Sequence, residues 1–104
     1  MLNINMEFNS GILFVRLKGS LNKLTYDKLI DILIPVIRNN GIKNLVYNLD
    51  LLKSLDDVGF KSLLLGYDEI LNNNGNVLVV NNRFNLQYFK EVNNELSALK
   101  VLKV

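Results

Sequence analysis

Lys43-Asn44-Leu45-Val46-Tyr47-Asn48-Leu49, followed after a short polar loop by Leu55-Asp56-Asp57-Val58-Gly59-Phe60, reads as a buried strand feeding a helix. The first piece is apolar enough to lie inside a sheet. The second opens an amphipathic run with two carboxylates and a glycine at its mouth. Junctions of this kind bring backbone N–H groups together in the partial positive field of a helix N-terminus, so α/β proteins place recognition groups there. Three roles are open to the acidic pair: acid–base chemistry, a built-in charge shown to a partner, or a helix cap.

On the N-terminal side, 11–18 reads as a strand with Leu13, Val15 and Leu17 on one face, and 4–8 as a weaker strand. Asn9-Ser10-Gly11 joins them as an antiparallel hairpin. A helix follows with Thr25 as N-cap and Tyr26, Leu29, Ile30, Leu33, Ile34 and Ile37 at three-four spacing. Pro35 is expected to kink or loosen its last turns, and Gly41 to end it in a left-handed conformation. On the C-terminal side, a helix over 58–73 carries Phe60, Leu63, Leu64, Tyr67, Ile70 and Leu71 inward. Gly66 inside it costs about 1 kcal/mol relative to Ala, which implies close packing against the sheet. A strand over 77–80, a helix over 85–94 and an edge strand or frayed tail over 99–104 complete the reading. Strands alternating with helices predict an α/β fold: a mixed four- to five-stranded sheet with helices packed mainly on one face, in one domain spanning 1–104.

Composition narrows the chemistry. A chain of 104 residues, about half of them apolar, can bury a core without metal or disulfide. With neither Cys nor His it has no thiol nucleophile, no serine triad and none of the common zinc sites. A net charge of +2 with scattered Lys and Arg does not point to nucleic acid. No signal peptide or membrane-length apolar run is visible, and a cytoplasmic setting is the expectation.

At this point the chain resembles a STAS domain of the bacterial anti-sigma factor antagonist type, over nearly all its length. Ile12-Leu13-Phe14-Val15-Arg16-Leu17-Lys18-Gly19-Ser20-Leu21-Asn22 is similar to the family's apolar strand ending in Gly-Glu-Leu-Asp. Leu45-Val46-Tyr47-Asn48-Leu49 is similar to its Leu-Val-Leu-Asp-Leu strand, and Asn74-Gly75-Asn76-Val77-Leu78-Val79-Val80 to its later turn and strand. Leu55-Asp56-Asp57-Val58-Gly59-Phe60 stands against Asp-Ser-Ser-Gly-Leu. The resemblance implies a transcription regulator that binds a protein without catalysis or cofactor. Its partner would be an anti-sigma factor that is also a serine kinase, and the contact would be made by Gly19, Ser20, Leu21, Asn22, Asp56, Asp57, Val58, Gly59 and Lys61. It also places Asp57 where regulated members carry a phosphorylatable serine, Asn22 and Ser20 where they carry Asp and Glu, and no further C-terminal helix.

The sharp and plain readings of these residues coexist. A phosphoserine carries about −1.5 to −2 charges and an aspartate only one, so Asp57 is an incomplete, permanent substitute for the modified residue. One member of the pair is expected simply to cap the helix. A catalytic dyad is disfavoured because adjacent residues entering a helix point apart. A magnesium site from Asp50, Asp56 and Asp57 fits no recognised loop. Ser54 is a lesser candidate for a displaced phosphoacceptor, with a plain turn serine as the simpler reading. Phe84, Tyr88 and Phe89 are expected to pack in the core. The rival to a switch component is a STAS scaffold subunit of a larger signalling or transport complex.

Overall fold

β1 (Leu2–Asn9) and β2 (Ile12–Leu21) form the expected hairpin, in unbroken register from Leu2↔Gly19 to Asn9↔Ile12. Ser10 and Gly11 both have positive φ, the turn geometry whose twist matches paired strands. The structure is a computed structural model and describes residues 1–102. After the hairpin come α1 (Tyr26–Asn40), β3 (Asn44–Leu55), α2 (Asp57–Asn72), β4 (Asn76–Val80), β5 (Lys90–Val92) and α3 (Glu95–Val101). The sheet order is β1-β2-β3-β4-β5, antiparallel at β1–β2 and parallel elsewhere.

One sheet face meets α1 and α2. Leu29, Leu33 and Ile37 of α1 and Leu63 and Ile70 of α2 pack with Leu13, Val15, Leu17, Leu45, Tyr47 and Leu49, all buried. Each such aliphatic side chain contributes about 1.5–3 kcal/mol on burial. The predicted spacing of α1 holds through Pro35 and the helix is not interrupted there, because Pro35 lies on the exposed side and Ile37 remains buried beyond it. Gly41 ends α1 at φ 57°, as expected. Gly66 is explained by Tyr47: a Cβ added to it would meet the Tyr47 hydroxyl and Leu33 Cδ2 at van der Waals overlap. That hydroxyl donates to the Leu63 carbonyl at 2.9 Å, and burial pushes its pKa up.

Several boundaries differ from the sequence reading. β3 continues through the expected polar loop to Leu55, because β2 remains beside it to Leu21. Register shifts between Arg16 and Lys18 and between Gly19 and Ser20 absorb the mismatch. The helix expected over 85–94 is absent. Asn81, Asn85 and Tyr88 have positive φ there, and the Asn82 side chain accepts from Leu86 N–H and donates to its carbonyl. Side-chain amides thus take the bonds a helix would have made. The third helix forms later, at Glu95–Val101, with Asn94 Oδ1 accepting from Ser97 N–H, so a helix does follow residue 94. Of the edge strand or tail expected over 99–104, the first three residues belong to that helix and residues 103–104 lie outside the described residues.

α3 occupies the other sheet face, over Ile12, Phe14, Val46, Leu78 and Val80, through Ala98, Leu99 and Leu102. Phe89 is buried edge-on against Tyr47, Phe60 and Tyr67, and Phe84 packs at the rim of the core. Tyr88 is 69% exposed and does not join them, its positive φ turning it outward.

Candidate functional site

The C-terminal ends of β2 and β3 run side by side into the starts of α1 and α2, and Leu21 pairs with Leu55. Asp56 N–H donates to the Leu21 carbonyl at 3.3 Å, so the first residue past β3 is still tied to β2. Its carboxylate then spans two elements. Oδ1 accepts from Gly59 N–H at 2.8 Å, capping α2, and Oδ2 accepts from Lys23 N–H at 3.1 Å. These N–H groups, Gly59 first, hold the Asp56 carboxyl below the usual carboxylate range. Asp56 is therefore the cap, and it also fastens the β2–α1 loop to α2.

Asp57 behaves differently. It sits in the first turn of α2, exposed, and enters no ion pair among the described residues. The dipole of α2 favours its charge, and no neighbouring group consumes it.

Gly59 is buried because α2 begins directly on β2: a Cβ added there would overlap the Leu21 carbonyl oxygen. Leu21 is buried as well. Of the nine residues named for the contact surface, these two lie beneath it and set the spacing between strand and helix. Asn22 organises the loop above them. Its carbonyl accepts from Thr25 and Tyr26 N–H and its side chain accepts from Leu24 N–H. Thr25 stands at the N-cap of α1, but its hydroxyl makes no capping bond; it accepts from Asn22 N–H and donates to the Ser20 carbonyl. Gly19 is needed for its φ of 102° beside the Met1 carbonyl. Ser54 donates to the Ser20 hydroxyl at 2.8 Å, joining the two strand ends at the surface.

The exposed Asp56, Asp57 and Lys61 and the half-buried Val58 divide between two grooves. Asp56 and Asp57 line one of about 310 Å³ whose far wall is Phe84, Asn85, Leu86 and Gln87. Val58 and Lys61 line another of about 460 Å³ between α1 and α2, with Tyr26, Ile30, Leu64 and Leu65. The 84–87 wall and the 81%-exposed Leu24 were missed in the sequence, since a loop read as a helix hides which residues it turns toward α2. The magnesium site is not assembled: Asp50 accepts from Asn81 Nδ2, and among the described residues no three acidic groups gather for a metal.

Fold and site together define a small α/β domain that presents a fixed surface at the C-terminal ends of parallel strands, its acidic residue free and its capping residue engaged. The STAS domain family matches residues 3–88, and the chain belongs to that family. The anti-sigma factor antagonist SpoIIAA in its unphosphorylated form is similar over 98% of this chain and 100% of its own, with a TM-score of 0.82 at 14% identity. An anti-sigma factor antagonist from Mycobacterium paratuberculosis matches over 100% and 96%, with a TM-score of 0.82 at 19% identity. A putative anti-sigma factor antagonist from Thermotoga maritima matches over 97% and 95%, with a TM-score of 0.85 at 14% identity. No helix among the described residues is long and apolar enough to cross a membrane.

Proposed function

We propose that this chain is a non-catalytic, cytoplasmic bacterial regulator of transcription that works as an anti-sigma factor antagonist. Its partner is an anti-sigma factor of the serine-kinase type or a related regulatory protein. The docking surface is built by Ser20, Asn22, Asp56, Asp57, Val58 and Lys61, with Gly19, Leu21 and Gly59 holding it in shape. The observation that carries this reading is the division of labour between the two aspartates. Asp56 is engaged in the cap, while Asp57 leaves a free charge; the resemblance sets that position against the serine of regulated family members. The charge is then constitutive, and the surface is not switched by phosphate at that position.

The test is titration calorimetry of the wild type, Asp57→Ser and Asp57→Lys against a serine-kinase-type anti-sigma factor from the same cell, followed by incubation with ATP. The wild type should bind and stay unlabelled, charge reversal should change affinity by about tenfold or more, and Asp57→Ser should take up phosphate. Equal affinities with no labelling of any variant would overturn the proposal.

A further inference from the structure

The two edges of the sheet are unlike. β5 is three residues long and carries exposed Lys90 and Glu91, the kind of short, charged edge that refuses further pairing. β1 has eight residues, no proline, no lysine and no bulge, and its extensive contacts are with β2. Its one charge, Glu7, is bonded to Arg16. Met1 carbonyl accepts from Ser20 N–H, so by the alternation of an antiparallel ladder the odd residues of β1 face β2. The N–H and C=O groups of Leu2, Ile4, Met6 and Phe8 therefore point away from the sheet. The Leu2 carbonyl is taken by Lys28 Nζ, which closes that end of the edge and leaves Ile4, Met6 and Phe8 open.

We infer that this edge pairs antiparallel with the β1 of a second copy of the chain, about a two-fold axis at Met6, joining two sheets into one. The strand is its own complement in that register. Ile4 lies opposite Phe8 and Met6 opposite Met6, so the open backbone groups exchange about six hydrogen bonds. The register stops short of Leu2 and does not disturb Lys28; one centred on Asn5 would have to displace it. On the other face Asn3 meets Asn9, and Asn5 meets Glu7 in the close, non-hydrogen-bonded pairs. Asn5 Oδ1 already accepts from Arg16, which leaves its Nδ2 to donate to Glu7 of the second copy. No like charges stand opposite one another. Phe8, 61% exposed on the isolated chain, is laid against Ile4 of the second copy.

Sedimentation equilibrium from low micromolar to submillimolar concentration should show the mass rising to twice that of the chain. Hydrogen exchange on the same samples should show the Ile4, Met6 and Phe8 amides gaining protection with concentration, while those of Asn3, Asn5 and Glu7 are protected throughout. Met6→Pro removes an outward N–H without touching the β2 ladder, and should return the mass to that of one chain with its circular dichroism unchanged. Asp57→Ser should leave the mass as it is, since this pairing does not depend on the proposed partner site. A single-chain mass at every concentration would overturn the inference, as would a dimer that survives in folded Met6→Pro. If that variant unfolds, the exchange pattern of the unaltered protein decides, and outward amides that exchange freely at high concentration overturn it.

Discussion

Under α1 and α2 the sheet presents Leu13, Val15, Leu17, Leu45, Tyr47 and Leu49, an unbroken apolar layer with no ion pair in it. Under α3 the layer is narrower. Ile12, Phe14 and Val46 give way along the same strands to Arg16, Asn48 and Asp50, and what holds α3 there is in part electrostatic. Arg16 Nε and Nη2 donate to the two Glu95 oxygens at 2.8 and 2.7 Å, and Asn48 Nδ2 donates to Glu95 at 2.8 Å. One face is thus held by volume alone, and the other by a smaller apolar cluster together with a charged one. They should answer to different perturbations: cavities and added methyl groups for the first, pH for the second.

The largest effect is expected on the first face. Leu63→Ala removes a fully buried side chain between α2 and the sheet and should cost about 2–5 kcal/mol, read by urea denaturation. A loss below about 1 kcal/mol would mean that this core can collapse around the gap, and the contrast between faces would fail. Gly66→Ala comes next, at about 1–3 kcal/mol from overpacking against Tyr47 and Leu33. It has a sharper form. Tyr47→Phe removes the atom that the new Cβ strikes first, so Gly66→Ala should cost less in that background than alone. A strictly additive double-mutant cycle would show that the clash is relieved elsewhere.

The second face should break with acid. Arg16, first through its hydrogen bonds and then through its charge, and Asn48 with it, hold the Glu95 carboxyl below its ordinary 4.5. A carboxyl lowered on folding contributes stability that is present above its unfolded pKa and is lost as pH falls through the folded one. Stability should therefore decline below about pH 4.5, where protonation of Glu95 releases Arg16 and Asn48. Glu95→Gln should cost about 1 kcal/mol at neutral pH, since Arg16 is 36% exposed and solvent screens the pair. It should also flatten part of the acid limb. An unchanged acid limb would place the titrating group elsewhere.

The same division governs what could be read from the residues in advance. Regular spacing made α1, α2 and the inner faces of β2 and β3 legible, because each buries one continuous apolar stripe. The last six residues of β3 were not, since β3 carries an extra residue at each of its two register shifts against β2, which displaces the alternation just where Leu52 goes in and Leu51 and Lys53 stay out. The 81–89 loop and β5 were lost to Asn82, whose side chain folds the chain back on itself. At the site, a cap within the acidic pair was visible, because Asp56 and Gly59 stand at capping distance in sequence. Its second bond, to Lys23 N–H, joins residues thirty-three positions apart and leaves no local trace.

The smallest effect separates the two aspartates, and it bears most directly on function. Asp56→Ala removes a bond to α2 and one to the β2–α1 loop, and should lower Tm by about 4–8 °C, the response of a domain of this size to losing one cap. Asp56→Asn keeps an oxygen in place and should recover most of that. It should also remove the site's acid sensitivity, because a carboxyl lowered by these N–H groups stabilises the fold above its unfolded pKa and ceases to as pH falls. Asp57→Ala breaks no bond among the described residues and should move Tm by less than about 2 °C. A residue that stability does not require, held at the open end of a helix that another carboxylate already caps, is available for a partner. If Asp57→Ala instead destabilises as much as Asp56→Ala, then both aspartates serve the helix and the free charge on which the proposed docking surface rests does not exist.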